Sequence, residues 1–267
     1  MLVLKKYMKL SHNPRKNLGQ HFLKDNDVIQ KIATCISPQD KDILFEIGPG
    51  LGAITEVLAP QCKTFYAIEK DQNLAENLKK KFAQEKNIKI TSGDILNYDI
   101  ENTSAKKLRI VGNLPYNIST PVIFYLSRYR ESIHDMHLML QKEVVNRIIA
   151  KKSTKQYGRL TLMTKLFFTS DLLFDIKPES FYPKPKVTSS FIKIIPREKQ
   201  LLRADDILKF SDMIRTAFNH RRKMVKNTLH EYIDHKDFIE LKINPDNRPE
   251  NLSLNEFIKI YKYLSKK

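Results

Sequence analysis

Between residues 43 and 142, short apolar runs alternate with stretches of helical spacing. Residues 43–47 form a strand-length run, and residues 51–58 take a helical pattern that stops at Pro60. Residues 64–68 give a second strand. A helix follows from Asp71, with Leu74, Leu78 and Phe82 on one face, and residues 88–91, 108–112 and 136–140 supply further strands. Strands separated by helical segments imply βαβ units, a parallel sheet and helices on both of its faces.

Past Lys142, residues 143–150 read as helix. Residues 166–176 and 187–195 read as extended and flank a loop stiffened by Pro178, Pro183 and Pro185. This predicts a terminal pair of strands with an antiparallel edge. After Pro196 the period changes: Ile207, Phe210, Ile214 and Ala217 recur at near-helical spacing, Asn244-Pro245 and Arg248-Pro249 interrupt it, and a last helix starts at Ser253. The chain reads as α/β over residues 1–196, with a small helical domain over 197–267.

Composition narrows the classes of function. With 267 residues the chain has room for one large domain and a smaller one. Its apolar runs are strand-length, too short for a bilayer span, and no membrane partner is expected. The basic first 16 residues lack a continuous apolar core ahead of a small-residue cleavage site, so no secretory signal is expected. Cys35 and Cys62 have neither metal-ligand nor redox spacing, which points to a reducing, cytoplasmic setting. His134, His137 and His220 show no ligand pattern, and no metal is expected.

Charge says more. The 47 Lys+Arg against 30 Asp+Glu leave a net +17, which suits a polyanion, nucleic acid before membrane. A Lys-rich surface set by genome composition would look similar, but the distribution is uneven. Residues 1–24 hold Lys5, Lys6, Lys9, Arg15, Lys16 and Lys24 and no acid; Lys151, Lys152, Lys155 and Arg159 form a second group, and Arg221, Arg222, Lys223 and Lys226 a third.

The candidate chemistry lies at strand ends. Glu46 closes the first strand ahead of a turn containing Gly48, Gly50 and Gly52, where glycines let the backbone turn sharply and approach a ligand. Glu69 ends the second strand about twenty residues on, placed to accept both hydroxyls of a ribose. This pair fits a dinucleotide or S-adenosylmethionine equally. Gly93-Asp94 ends the third strand and suits an adenine amine. Asn113-Leu114-Pro115-Tyr116 ends the fourth, with proline fixing φ near about −65° and biasing Leu114 towards extended geometry. A dehydrogenase would want a proton-transfer His, Lys or Tyr from a substrate domain, and no convincing arrangement is present. An amide oxygen and a carbonyl, with an aromatic face beside them, can instead grip a flat exocyclic amine such as adenine N6.

Six segments carry a resemblance that runs nearly end to end: residues 17–23 (NLGQHFL), 46–52 (EIGPGLG), 113–119 (NLPYNIS), 140–143 (LQKE), 181–187 (FYPKPKV) and 217–223 (AFNHRRK). In this order they closely resemble the small-subunit ribosomal RNA adenine dimethyltransferases, relatives of the erythromycin-resistance 23S RNA methylases. The resemblance implies a Rossmann-like class I methyltransferase sheet binding S-adenosyl-L-methionine in residues 1–196, and an RNA- or particle-binding helical domain in 197–267. It implies that His21 and Leu23 cover the cofactor, that Gly48 and Gly50 approach its methionine end with Glu46 ordering that end, and that Glu69 takes the ribose and Asp94 the adenine amine. Asn113 and Leu114 would then hold the target amine, with Tyr116 on one face of the base and Phe181 on the other.

Phosphate contacts are expected from Lys5, Lys6, Arg15 and Lys16 on the N-terminal arm and from Arg221, Arg222 and Lys223. The implied reaction is N6,N6-dimethylation of two adjacent adenosines in the 3′-terminal hairpin of 16S rRNA, within the assembling small ribosomal subunit. The protein is expected to act as a monomer with no obligate protein partner. The nearest alternative is a 23S rRNA methylase; another is a non-catalytic assembly factor that keeps the fold, although the intact Glu46, Glu69, Asp94 and Asn113 speak against lost chemistry.

Overall fold

The computed structural model describes residues 14–15, 18–103 and 107–265. Strands β2 (Ile43–Ile47), β3 (Thr64–Glu69), β4 (Ile88–Ser92), β5 (Leu108–Asn113) and β6 (Ile133–Gln141) pair in parallel. Strand β9 (Ser189–Pro196) joins β6 antiparallel, and β7 (Phe168–Ile176) lies at the edge beyond it. The sheet is seven-stranded, in the order β4-β3-β2-β5-β6-β9-β7. The chain therefore winds outward from β2 to β4 and returns to the other side of β2 as β5. That reversal opens a crevice at the carboxyl ends of β2 and β5, where open α/β sheets take ligands.

Side chains alternate along β2. Leu44 joins the cluster formed with Ile29, Ile32 and Ile36 of α1 (Asn26–Ile36) and Ile54 and Leu58 of α2 (Ala53–Leu58), while Phe45 and Ile47 are buried on the opposite face. Burial on both faces explains why these strands read as continuous apolar runs. Helix α3 (Gln72–Lys81) is capped by Asp71, which accepts from Asn73 N, and carries Lys79, Lys80 and Lys81 in its last turn, where cations oppose the helix dipole. Helix α4 (Ser119–Leu126) follows β5, and α5 (Lys142–Ile148) follows β6. A separate two-stranded ribbon pairs β1 (Phe22–Leu23) with β8 (Phe181–Tyr182).

The chain divides into two compact units, residues 1–145 with 171–196, and residues 146–170 with 197–267. The break after Pro196 coincides with the change of period, but residues 146–170 belong with the C-terminal unit, not with the sheet domain expected over 1–196. The reason is a helix, α6 (Arg159–Phe167), at the start of a segment that reads as extended. It packs against α7 (Asp206–Asn219) and α10 (Leu254–Leu264). Leu160, Leu162, Met163, Leu166 and Phe167 are all buried, so the helix has little polar face and no amphipathic period to announce it. The short helices α8 (Val225–Thr228) and α9 (His235–Glu240) complete this unit. Among the described residues, no helix is long and apolar enough to cross a membrane.

Candidate active site

A cleft of about 1160 Å³, counting its open mouth, lies at the carboxyl ends of β2 to β5. Its walls include Glu46, Gly48, Gly50, Glu69, Asp94 and Asn113, so the rim residues expected from four separate strands meet in one place. His21, Leu23, Leu114 and Tyr116 line it as well.

The glycine turn is shaped for close approach. Gly50 has φ +58°, and a Cβ built there would stand 2.9 Å from Cδ1 of Phe22. Its amide donates to Glu69 Oε2 at 3.0 Å, while Glu69 Oε1 accepts from Asp71 N at 2.9 Å. Two main-chain donors thus fix the carboxylate at the end of β3. Burial raises the Glu69 carboxyl above its ordinary range, and these hydrogen bonds oppose that.

Glu46 is buried more deeply, at 1% exposure. Alternation along β2 puts its side chain on the face covered by α2, where the Thr55 hydroxyl donates to Oε2. Burial pushes the carboxyl up to about 8, more than the Thr55 bond and the more distant Lys81 bring it down. A buried acid in this condition favours a cationic neighbour. At the end of β4, Asp94 accepts from Leu96 N at 3.0 Å and from Lys70 Nζ at 2.7 Å. Burial acts upward on Asp94 too, but the lysine and the amide hold it below the usual carboxylate range.

The opposite wall is the end of β5 and the strap from Leu18 to Leu23. Asn113 Nδ2 donates to the His21 carbonyl at 2.8 Å, which leaves Oδ1 as the amide's remaining polar atom. Leu114 N is held by Met139 O at 3.2 Å, fixing the peptide that follows. The Tyr116 hydroxyl lies 3.0 Å from Ser189 Oγ, and its ring stacks on His21 with centroids 5.7 Å apart. His21 is itself fixed, because Nδ1 meets the Pro183 carbonyl at 2.7 Å.

Not every expected residue takes its expected place. Phe181 is 1% exposed and packs in the core with Leu23 and Ile29, so it cannot present a face to a base in the cleft. Strand alternation turns it inward and its neighbour Tyr182 outward. Arg15 is not a free phosphate contact: Nε pairs with the buried Asp71 at 3.2 Å, and its amide donates to Gln20 Oε1 at 2.8 Å. Arg221 is likewise engaged within its own unit, donating to Tyr157 O at 2.9 Å and to Glu250 at 3.0 Å. Arg222 and Lys223 are both exposed. Lys5, Lys6 and Lys16 lie outside the described residues.

Sequence reasoning passed over several supporting residues. Thr55, Lys70 and Ser189 act through Glu46, Asp94 and Tyr116, and no local pattern marks them. Asp71 did carry a signal, as a capping residue directly ahead of a helical run.

The donor set fits a cationic nucleoside cofactor: a fixed carboxylate for vicinal hydroxyls, a second for an exocyclic amine, and a buried acid beside a glycine turn. The family model described as ribosomal RNA adenine dimethylase matches residues 11–266. The chain is 44% identical over 252 residues to ribosomal RNA small subunit methyltransferase A of Coxiella burnetii, covering 94% of this chain and 98% of the relative. Among solved structures it is similar to a dimethyladenosine transferase from Plasmodium falciparum, with TM-score 0.77 and 28% identity over 92% of this chain and 98% of that one. It shares its fold with the 23S rRNA methyltransferase ErmE, at TM-score 0.71 and 22% identity over 91% and 99% of the two chains. The sheet is thus that of a class I methyltransferase. A cleft ringed by these carboxylates, with an oriented amide on its wall, belongs to a chain that is a member of the ribosomal RNA adenine dimethylase family, an rRNA adenine dimethyltransferase.

Proposed function

We propose that the protein uses S-adenosyl-L-methionine to dimethylate N6 of two adjacent adenosines in the 3′-terminal hairpin of 16S rRNA, in the cytoplasm, on the assembling small subunit. The observation that carries this reading is the oriented carboxamide of Asn113, whose Nδ2 is engaged by the His21 carbonyl at 2.8 Å. Its Oδ1 and the Leu114 carbonyl then accept the two hydrogens of the target amine. That grip draws the nitrogen lone pair out of conjugation with the ring. Tyr116, fixed by Ser189 at its hydroxyl, offers a stacking face, and stacking one base contributes roughly 1–3 kcal/mol. This is enough to hold an extruded nucleotide, not to select it.

Glu69 would hold the ribose, Asp94 the adenine amine, and Gly48 with Glu46 the methionine end. The bound sulfonium supplies an activated methyl with its own leaving group, so the protein's task is to align and to exclude water. No general base is required, because a methylated aryl ammonium is acidic enough to lose its proton to solvent.

The small-subunit target is supported by the name of the Coxiella relative, which aligns over nearly its whole length. The fold does not separate the two RNA targets, since ErmE shares it. The protein is read as acting without an obligate protein partner, with a role in checking subunit assembly beside catalysis. Mass spectrometry of rRNA fragments, after unmodified small and large subunits are incubated with labelled cofactor, tests this directly. Two dimethylated neighbours near the 3′ end of 16S rRNA are expected; label in 23S rRNA alone, or in neither, overturns the assignment.

A further inference from the structure

The ribbon whose β1 strand lines the cleft carries, on β8, an aromatic ring that the reaction leaves unused. Tyr182 is 58% exposed, the most exposed phenylalanine or tyrosine among the described residues. Register places it opposite Phe22, with Leu23 opposite Phe181. Directly paired residues leave an antiparallel ribbon on the same face. Tyr182 therefore emerges on the face of Phe22, the ring that packs on Gly50 and lines the cleft, while Phe181 points into the core.

The ring stands on a fixed lip. On one side Phe181 is anchored by burial; on the other the Pro183 carbonyl holds His21 Nδ1 at 2.7 Å, and His21 stacks on Tyr116. A rigidly mounted tyrosine offers a large contact face with few torsions left to freeze, which favours stacking. Beyond it Lys186 is exposed, placing a cation near the ring as a nucleic-acid path requires, while Lys184, also exposed, pairs with Glu179 at 2.5 Å.

We propose that Tyr182 is a second nucleobase platform, stacking the base next to the one inserted against Tyr116. The inference rests on the proposed RNA substrate. It gives the two neighbouring adenosines separate seats, so that one waits on the lip while the other occupies the cleft.

The test reads methyl transfer to unmodified small-subunit particles. Tyr182→Ala is expected to raise the KM for particles by about 5- to 150-fold, the range set by loss of one stacked base. Its affinity for S-adenosylhomocysteine and its melting temperature stay at wild-type values. Tyr182→Phe, which keeps the ring, rescues most of the KM. An unchanged KM in Tyr182→Ala, or a Tyr182→Phe as impaired as the alanine variant, overturns the platform. The chain contains no tryptophan, so Tyr182→Trp is a unique fluorophore. Its emission should be quenched by protein-free 16S rRNA at concentrations shown by filter binding to saturate; no quenching at saturation also overturns the proposal. Wild-type protein that fails to methylate particles would instead count against the substrate assignment.

Discussion

Asn113 Nδ2 donates to the main-chain oxygen of His21, a residue 92 positions earlier, at 2.8 Å. The strap thereby decides which end of the carboxamide is left to accept. Asn113→Ala should leave cofactor binding largely intact and lower kcat by roughly 100-fold or more, because misplacement of the reacting nitrogen is enough to do so. Calorimetry with S-adenosylhomocysteine beside a single-turnover methylation assay separates the two effects. Undiminished turnover would remove Asn113 from the acceptor role.

Glu46 makes the cofactor-free protein sensitive to alkali. Its carboxyl titrates near 8 when folded and near 4.5 when not. Between these values the folded chain binds more protons than the unfolded chain, so stability falls as pH rises through this window. The contribution is complete below about 4.5 and lost above about 8. Urea unfolding of wild type and Glu46→Gln at pH 6 and pH 9 should show a decline in the wild type that the variant lacks.

His137 has the opposite sign. Burial, opposed by Asp135 and reinforced by Arg109 and Lys193, drops its pKa to about 4 from 6.5, and its Nε2 has no hydrogen-bond partner among the described residues. Between these values the unfolded chain binds more protons, so stability is lost as pH falls from 6.5 towards 4. His137→Phe should flatten this acid limb, and because no bond to Nε2 is given up, the loss at neutral pH should be small. Melting curves from pH 4 to 7 check both statements.

Gly50 has little freedom to change. An alanine at φ +58° costs about 1–2 kcal/mol of backbone strain, and its methyl would force Phe22 to move. Gly50→Ala should lower the melting temperature and weaken cofactor binding together. A variant that loses neither would show that the turn and strap adjust freely.

The basic residues after α7 should divide by role. Arg221→Ala is expected to destabilise its unit by about 1–2 kcal/mol, through loss of charge-assisted bonds to Tyr157 O and Glu250. Charge reversal of Arg222 and Lys223 should leave melting unchanged and weaken particle binding. It should also reduce the salt slope by about 1 for each phosphate no longer neutralised. An unchanged slope would take these two residues off the RNA surface.

The rim of the cleft was legible because each of its acids, and Asn113, sits where an apolar run stops. A strand buried on both faces announces its own end, and open α/β sheets gather those ends. Helix α6 was illegible for the opposite reason: with Leu162 and Thr164 as buried as Leu160, no polar stripe breaks its apolar density. The ribbon strands are two residues each, too short for alternation to tell whether Phe181 or Tyr182 faces inward. Arg15 and Arg221 read as free cations because Asp71 and Glu250, their partners, are distant along the chain.

The pairing of Phe22–Leu23 with Phe181–Tyr182 joins segments almost the whole sheet unit apart. Pairings of such long sequence separation form late, after loop closure has been overcome by the rest of the structure. During synthesis, a ribosome-bound chain that has emerged only as far as β6 would own every residue that lines the cleft and still lack the β8 strand and Pro183 carbonyl that pin the strap of Leu18 to Leu23. Competence to bind the methyl donor should therefore rise sharply once β8 has emerged to hold the strap, and fragments ending before it should bind more weakly.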